Sequence, residues 1–277
     1  MKPAALLGLV LLAGCGTYSP LDSHYNRGVE FYDDGKLAEA IREYKMAIED
    51  NPSNLRAHYN LAVTYHDEGK RAEATAEYNE VMRLDPRNAR ALVGLASLRS
   101  DEGREADALE LLRRAAEADP DSGFPKSSLG AFYERKGDLD RALEAYRASV
   151  AAEPRHAAGH AGIARILGKK GAAQDAVAEY DKALAADGND IATLIAASEA
   201  REKIGDVKEA MLLLERALVH VKDRPELWIR LARHYELLDR YEDAVAALWE
   251  ARAADPGNRE VGPRLKSLYT KLAAKER

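Results

Sequence analysis

Apolar and small residues recur three and four positions apart through Gly123–His156, with polar residues between them. Leu129, Gly130 and Tyr133 fall on one helical face, and Leu143, Tyr146, Ser149 and Val150 on another. The spacing predicts two short helices joined by a turn. Gly137 sits where the first helix must stop, and glycine takes the left-handed conformation of a helix end at little cost. Pro154 cannot continue the second helix. A hairpin this small cannot bury its own apolar face, so the pattern demands neighbours.

Those neighbours appear at a step of 34 residues. From Gly130 the step reaches Gly28, Ala62, Ala96, Ala164, Ser198 and Ala232, all small. From Ala142 it reaches Ala40, Ala74, Ala108, Ala176, Ala210 and Ala244. From Gly137 it reaches Gly35, Gly69, Gly103, Gly171 and Gly205, with Asp239 the exception. Pro154 returns as Pro52, Pro86, Pro120 and Pro256. Small residues let two helix backbones approach, and tyrosines such as Tyr44, Tyr78 and Tyr146 fill the space beside them. This pattern resembles the tetratricopeptide repeat. The resemblance implies an all-α fold: an α/α superhelical solenoid of seven 34-residue hairpins (21–54, 55–88, 89–122, 123–156, 157–190, 191–224 and 225–258) plus a capping helix at 259–277. In the cap, Val261, Leu265, Leu268, Tyr269 and Leu272 make one apolar face, with Pro263 in its first turn. Arg99 and Arg201 replace the aromatic seen as Tyr65, Tyr133 and Tyr235, so the array is expected to be softest at those two units.

The first residues follow another pattern. Lys2 precedes an apolar run from Ala4 to Leu12, too short for the roughly 20 residues that span a bilayer. A positive start, a short apolar core and small residues describe an export signal at 1–14. Leu12-Ala13-Gly14-Cys15 resembles the lipobox of bacterial lipoproteins, which implies cleavage before Cys15 and lipid (diacylglycerol and palmitate-type acyl chains) on that residue. Cys15 is the only cysteine, which rules out an internal disulfide or a Cys-rich metal site. Gly16 rather than Asp follows it; by analogy the expected location is the bacterial outer membrane, facing the periplasm. Residues 15–20 form a tether, and its five residues after Cys15 reach only about 17 Å.

Composition narrows the function. The chain is 46% hydrophobic but only 6% aromatic, as suits an extended helical array rather than one large core. Its net charge of −6, or −7 once the single positive charge of Lys2 is removed, is unsuited to nucleic-acid backbones. No nucleophile elbow or Gly-rich phosphate loop is present, and no cofactor is implied. His24, His58 and His160 share one repeat position with Leu92, Leu194 and Trp228, which reads as packing rather than metal binding. His156 and His160 lie four apart, but no third ligand follows at a suitable spacing.

In arrays of this family the first helix of each unit lines the groove. Residues at i, i+4 and i+7 there are Tyr25, Val29 and Tyr32, then Tyr59, Val63 and His66. Later units place Ser127, Ala131 and Glu134, Ala161, Arg165 and Gly168, and more charged residues at the corresponding sites. The aromatic strip at the N-terminal end is suited to an extended peptide or amphipathic helix. Of the family's carboxylate-clamp positions, only Asn60 and Arg90 match; Tyr25, Val29 and Gly94 occupy others. The sequence therefore reads as a non-enzymatic, membrane-anchored scaffold for a protein partner, without specifying self-association. It is similar in architecture to pilotin lipoproteins of type IV pili and to adaptors that dock peptidoglycan hydrolases; an enzyme is the distant third reading.

Overall fold

The computed structural model describes residues 23–275, so the signal at 1–14, Cys15 and the tether lie outside the described residues. Among these residues there are fifteen α-helices and no strand. No described helix is long and apolar enough to cross a membrane. The chain divides into two compact units, one ending at Ala108 and one beginning at Leu109.

The first unit holds α1 (Ser23–Asp33), α2 (Leu37–Asp50), α3 (Leu55–Asp67), α4 (Arg71–Leu84), α5 (Ala89–Asp101) and the start of α6 (Glu105–Ala118). The second continues from α6 through α7 (Phe124–Arg135), α8 (Leu139–Ala152), α9 (Ala157–Lys169), α10 (Ala173–Ala186), α11 (Ile191–Lys203), α12 (Val207–Leu218), α13 (Pro225–Leu237), α14 (Tyr241–Ala254) and α15 (Val261–Lys275). The second helix of every hairpin begins on a strict 34-residue step, at Leu37, Arg71, Glu105, Leu139, Ala173, Val207 and Tyr241. Within each unit consecutive helices pack in pairs, α1 on α2 and α3 on α4, then α7 on α8 through α13 on α14. First helices of successive hairpins also touch, α1 with α3 and α3 with α5, and α7 with α9 and α9 with α11.

The small-residue positions do what close approach requires. Gly28, Ala62, Ala96, Gly130, Ala164, Ser198 and Ala232 are all buried. A Cβ built on Gly130 would stand 2.7 Å from the Tyr146 ring, and one on Gly162 only 2.4 Å from it. The Tyr146 ring, 2% exposed, is thus wedged against the backbones of α7 and α9. Tyr44 fills the same place against Gly28. Burial of such side chains, with Leu61, Leu92, Leu194 and Leu248, contributes about 1.5–3 kcal/mol for each large aliphatic group.

Each turn inside a hairpin needs one residue at positive φ. Gly137 takes it at φ 75°, and the five glycines at equivalent positions do likewise. Asp239, the sequence exception, adopts φ 55° all the same, because the turn geometry is imposed by the packing of its two helices. A Cβ is strained in this conformation by about 1–2 kcal/mol. The exposed bond from the Tyr241 hydroxyl to Asp239 Oδ1, 2.6 Å, offsets little of it. Asp239→Gly is therefore expected to raise stability by about 1 kcal/mol, read from the urea unfolding midpoint.

Two expectations change in detail. Arg201 does replace an aromatic, but Asp181 and Asp206 grip its guanidinium at 2.7 and 2.9 Å. At the equivalent pair of positions Glu215 accepts a 2.6 Å bond from the Tyr235 hydroxyl, and Lys45 lies 5.7 Å from the Tyr65 ring centroid. The link between one hairpin and the next is kept at Arg201 while its chemistry changes to an ion pair; hydrogen exchange of that unit tests whether it is softer than its neighbours. In α15, Val261, Leu265 and Leu268 are buried and Leu272 half-buried, whereas Tyr269 is 49% exposed. Its hydroxyl accepts a 3.2 Å bond from Trp249 Nε1, so Tyr269 lies at the edge of the capping face rather than within it.

Candidate functional site

In the first unit, α1, α3 and the start of α5 enclose a pocket of about 410 Å³. Tyr25, Tyr59, Asn60 and Arg90 line it, joined by Leu55, Arg56 and Asn88. Four of the groove residues expected from sequence therefore meet at one place. Asn88 is there because it caps α5, its side-chain oxygen accepting the Ala91 backbone N–H at 3.1 Å. Asn60 Nδ2 donates to the Tyr25 hydroxyl at 3.3 Å and the Tyr44 hydroxyl at 3.5 Å, fixing the carboxamide between two rings. Tyr25 and Tyr44 lie 6.1 Å apart by ring centroid, and Tyr59 and Tyr78 lie 5.9 Å apart. Burial pushes the Tyr59 phenol up, and the Arg90 charge opposes that. Among the described residues no carboxylate lines this pocket, while Arg56 and Arg90 both do, in a chain of net charge −6.

The other four expected residues lie elsewhere. The Tyr32 hydroxyl donates to Asp67 Oδ2 at 2.6 Å, and that bond, ahead of burial, pushes its pKa up to about 12. His66 Nε2 meets Asp101 Oδ2 at 2.9 Å. Both side chains clasp the next hairpin instead of opening to a ligand. Val29 and Val63 are half-buried and do not line the pocket.

A second cleft, of about 400 Å³ and mostly apolar, belongs to the second unit. Its walls are Ala131, Ala158, Ala161, Ala192 and Ala196, with Tyr146, Tyr180 and Arg165 beside them and Phe124 exposed at the rim. Ala131, Ala161 and Arg165 were placed on the groove face by the sequence but not singled out as a site. The signal was the change from Tyr, Val and Asn in the first two units to Ala, Ser and Gly at the same positions here. Beside the cleft, Glu134 receives Arg165 Nη2 at 2.6 Å, Lys169 Nζ at 2.8 Å and the Tyr146 hydroxyl at 3.0 Å. These bonds outweigh the burial that would raise it and hold the carboxyl at about 2. Because this lies below its unfolded value near 4.5, the cluster's contribution is complete above about pH 4.5 and is lost as pH falls through about 2. Wild-type stability is expected to fall across that window by about 1–2 kcal/mol more than that of Glu134→Gln, solvent screening of the half-exposed Arg165 and Lys169 reducing the full linkage value, measured by urea unfolding at stepped pH.

Three histidines act as clips inside hairpins. Nδ1 of His24, His58 and His160 lies 2.7, 2.6 and 2.7 Å from Glu43, Glu77 and Glu179. Nε2 of His58 and His160 meets the Pro52 and Pro154 carbonyls at 3.2 and 3.0 Å. Trp228 Nε1 donates to the Lys222 carbonyl at 3.0 Å from the same repeat position. His156 Nε2 lies 2.9 Å from Ser127 Oγ, and its Nδ1 lies 3.3 Å from Glu153 Oε2. This row has the order of a hydrolytic relay. However, Ser127 Oγ also lies 2.9 Å from its own helix carbonyl at Phe124, and Glu153 Oε2 receives the Gly123 N–H at 3.0 Å. The set ties the start of α7 to the loop before α9. Among the described residues, no group of three or more His, Cys, Asp or Glu is placed to hold a metal.

Comparison with known proteins gives consistent results. A family model described as TPR repeat matches residues 28–69, and models described as Tetratricopeptide repeat match 65–124, 133–191 and 203–272. No curated protein matches the sequence. Among solved structures, the APC/C hetero-tetramer Cut9–Hcn1 aligns with TM-score 0.64 and 18% identity over 87% of this chain and 48% of that chain. This chain thus spans about half the length of that relative. PilF of Pseudomonas aeruginosa aligns with TM-score 0.54 and 22% identity over 72% of this chain and 90% of that one. A tetratricopeptide repeat protein from Parabacteroides merdae ATCC 43184 aligns with TM-score 0.51 and 17% identity over 90% and 98%. At these identities the likeness is one of fold.

Proposed function

The chain belongs to the tetratricopeptide repeat family, and from that premise we propose that it is a lipid-anchored scaffold of the bacterial envelope that holds a protein partner beside the outer membrane, on its periplasmic side. The observation that carries the binding half is the convergence of Tyr25, Tyr59, Asn60 and Arg90, with Arg56 and Asn88, on one pocket formed by three successive hairpins. Aromatic walls, two carboxamides fixed by their own hydrogen bonds and two arginines make a surface suited to recognising a peptide. The lipobox-like Leu12–Cys15 carries the anchoring half. Anchoring confines the scaffold to one surface and raises the local concentration of whatever it holds.

The combination of lipid and repeats supports a role in assembling an envelope machine such as a type IV pilus or its secretin. Docking of peptidoglycan hydrolases uses the same two features and is the second reading. A photoreactive residue in place of Tyr59, activated in intact cells, tests the proposal. A pilus or secretin subunit in the adduct supports the first reading and a murein hydrolase the second. Adducts with nucleic acid alone, or turnover of peptidoglycan by the purified chain, would overturn both.

A further inference from the structure

The second unit carries a cleft of its own, and its lining differs in chemistry from the pocket around Tyr59. The cleft lined by Ala131, Ala158, Ala161, Ala192 and Ala196 is open to a bulky apolar side chain. The Tyr146 and Tyr180 rings lie beside it, and the exposed Phe124 extends the apolar surface at its rim. Arg165 and Tyr180 are shared with an adjoining pocket of about 240 Å³ that reaches Lys169 and Lys203 towards the ends of α9 and α11.

The charges around this pair of pockets are not equivalent. Asp190 is spent capping α11, accepting the Thr193 N–H at 3.0 Å. Glu199 accepts Arg230 at 2.6 Å, and Glu134 is filled by Arg165, Lys169 and Tyr146. Lys169 spends one donor on Glu134, and a lysine ammonium has three. Lys203 is exposed, and no ion pair or hydrogen bond of its side chain appears among the described contacts. Arg165, Lys169 and Lys203 line the adjoining pocket against a single carboxylate, Glu199, so it is complementary to an added negative charge.

We infer that this site takes an extended segment of a partner protein in which a bulky apolar side chain is followed or preceded, at a short fixed distance, by an acidic residue. The inference rests on the scaffold reading. The apolar side chain enters between Ala131, Ala161 and Ala196, and the carboxylate meets Lys169 and Lys203. Ala161 and Lys169 are eight residues apart on α9, about 12 Å at 1.5 Å per residue. An extended chain covers that in three or four residues at about 3.3 Å each.

The test uses the full chain and two fluorescein-labelled, end-blocked pentapeptides, Phe-Ser-Ser-Ser-Glu and its reverse, followed by fluorescence anisotropy. At least one is expected to bind. Changing its Glu to Gln, or making Lys169→Ala with Lys203→Ala, should weaken it about tenfold or more. Ala158→Phe and Ala192→Phe start from exposed positions and should block the cleft with the fold intact by circular dichroism. Tyr25→Ala with Tyr59→Ala should leave this binding unchanged. Binding of neither peptide, or binding indifferent to the phenylalanines or the lysines, overturns the inference. Since Tyr59 capture in cells does not pass through α9, such a failure leaves the scaffold reading to its own test. Adducts between two copies of this chain, from a photoreactive residue at Ala192, would also overturn it in favour of self-association.

Discussion

Gly162→Leu is expected to cost about 3 kcal/mol of unfolding free energy, at the upper end of what overpacking a core costs. Leucine is ordinarily the better helix former, by about 1 kcal/mol over glycine, so propensity alone predicts the opposite sign. Packing decides it. A Cβ on Gly162 would lie 2.4 Å from Tyr146 Cδ1 and Cε1, and retreat of the ring is limited by the backbone at Gly130, where an added Cβ would lie 2.7 Å away. Either the ring leaves its place or α9 separates from α8, and both open a core only 2% exposed at Tyr146. Gly162→Ala should show the same sign at smaller size. Gly168→Ala is the internal control: it sits on the same helix, its Cβ would meet nothing nearer than 3.9 Å, and it should stabilise. In Tyr146→Leu the penalty of Gly162→Ala should shrink, a coupling that a double-mutant cycle in urea reads directly. Equal penalties at Gly162 and Gly168 would show that the ring is not the wedge.

The second large effect concerns location. Cys15→Ala, with residues 1–14 exchanged for an export signal that is cut without lipidation, is expected to move the chain from the membrane to the soluble fraction almost completely. Each buried methylene of an acyl chain contributes about 0.8 kcal/mol, and one chain binds marginally while two or more anchor stably. No described helix in residues 23–275 is long and apolar enough to cross a membrane. Fractionation of cells carrying Cys15→Ala, alongside labelling of the wild type with a tagged fatty acid, checks it. A variant that stays in the membrane, or a wild type that takes no label, contradicts lipidation at this residue.

Much of the fold was legible because it is written seven times. The small residue at Gly130 and its equivalents, the alanine at Ala142 and the glycine at Gly137 each encode one local demand: close approach, packing, and a turn at positive φ. All are met in the structure. Asp239 shows the limit of reading residue types alone, since the turn persists without its glycine. The candidate site was legible only in part. Periodicity puts Tyr25, Tyr32, Tyr59 and His66 on one face, but it does not say which of them is satisfied by a neighbour. Asp67 and Asp101 take Tyr32 and His66, and their pairing lies 35 residues along the chain, beyond any window on one helix. Arg56 escaped notice because its place in the pocket depends on how α3 sits against α1 and α5, not on its position within α3. The alanine-lined cleft was missed for a similar reason: small residues mark an absence of bulk, and only packing turns that absence into space.

The central claim is that this chain works by holding a protein in the pocket of its first unit. The most direct measurement is isothermal titration of the partner captured through Tyr59 against wild type and against Tyr25→Ala with Tyr59→Ala, helicity being checked on both. The account predicts that the double variant keeps its helical signal and loses affinity by a hundredfold or more, roughly 3 kcal/mol. Equal affinity for the two proteins would contradict it.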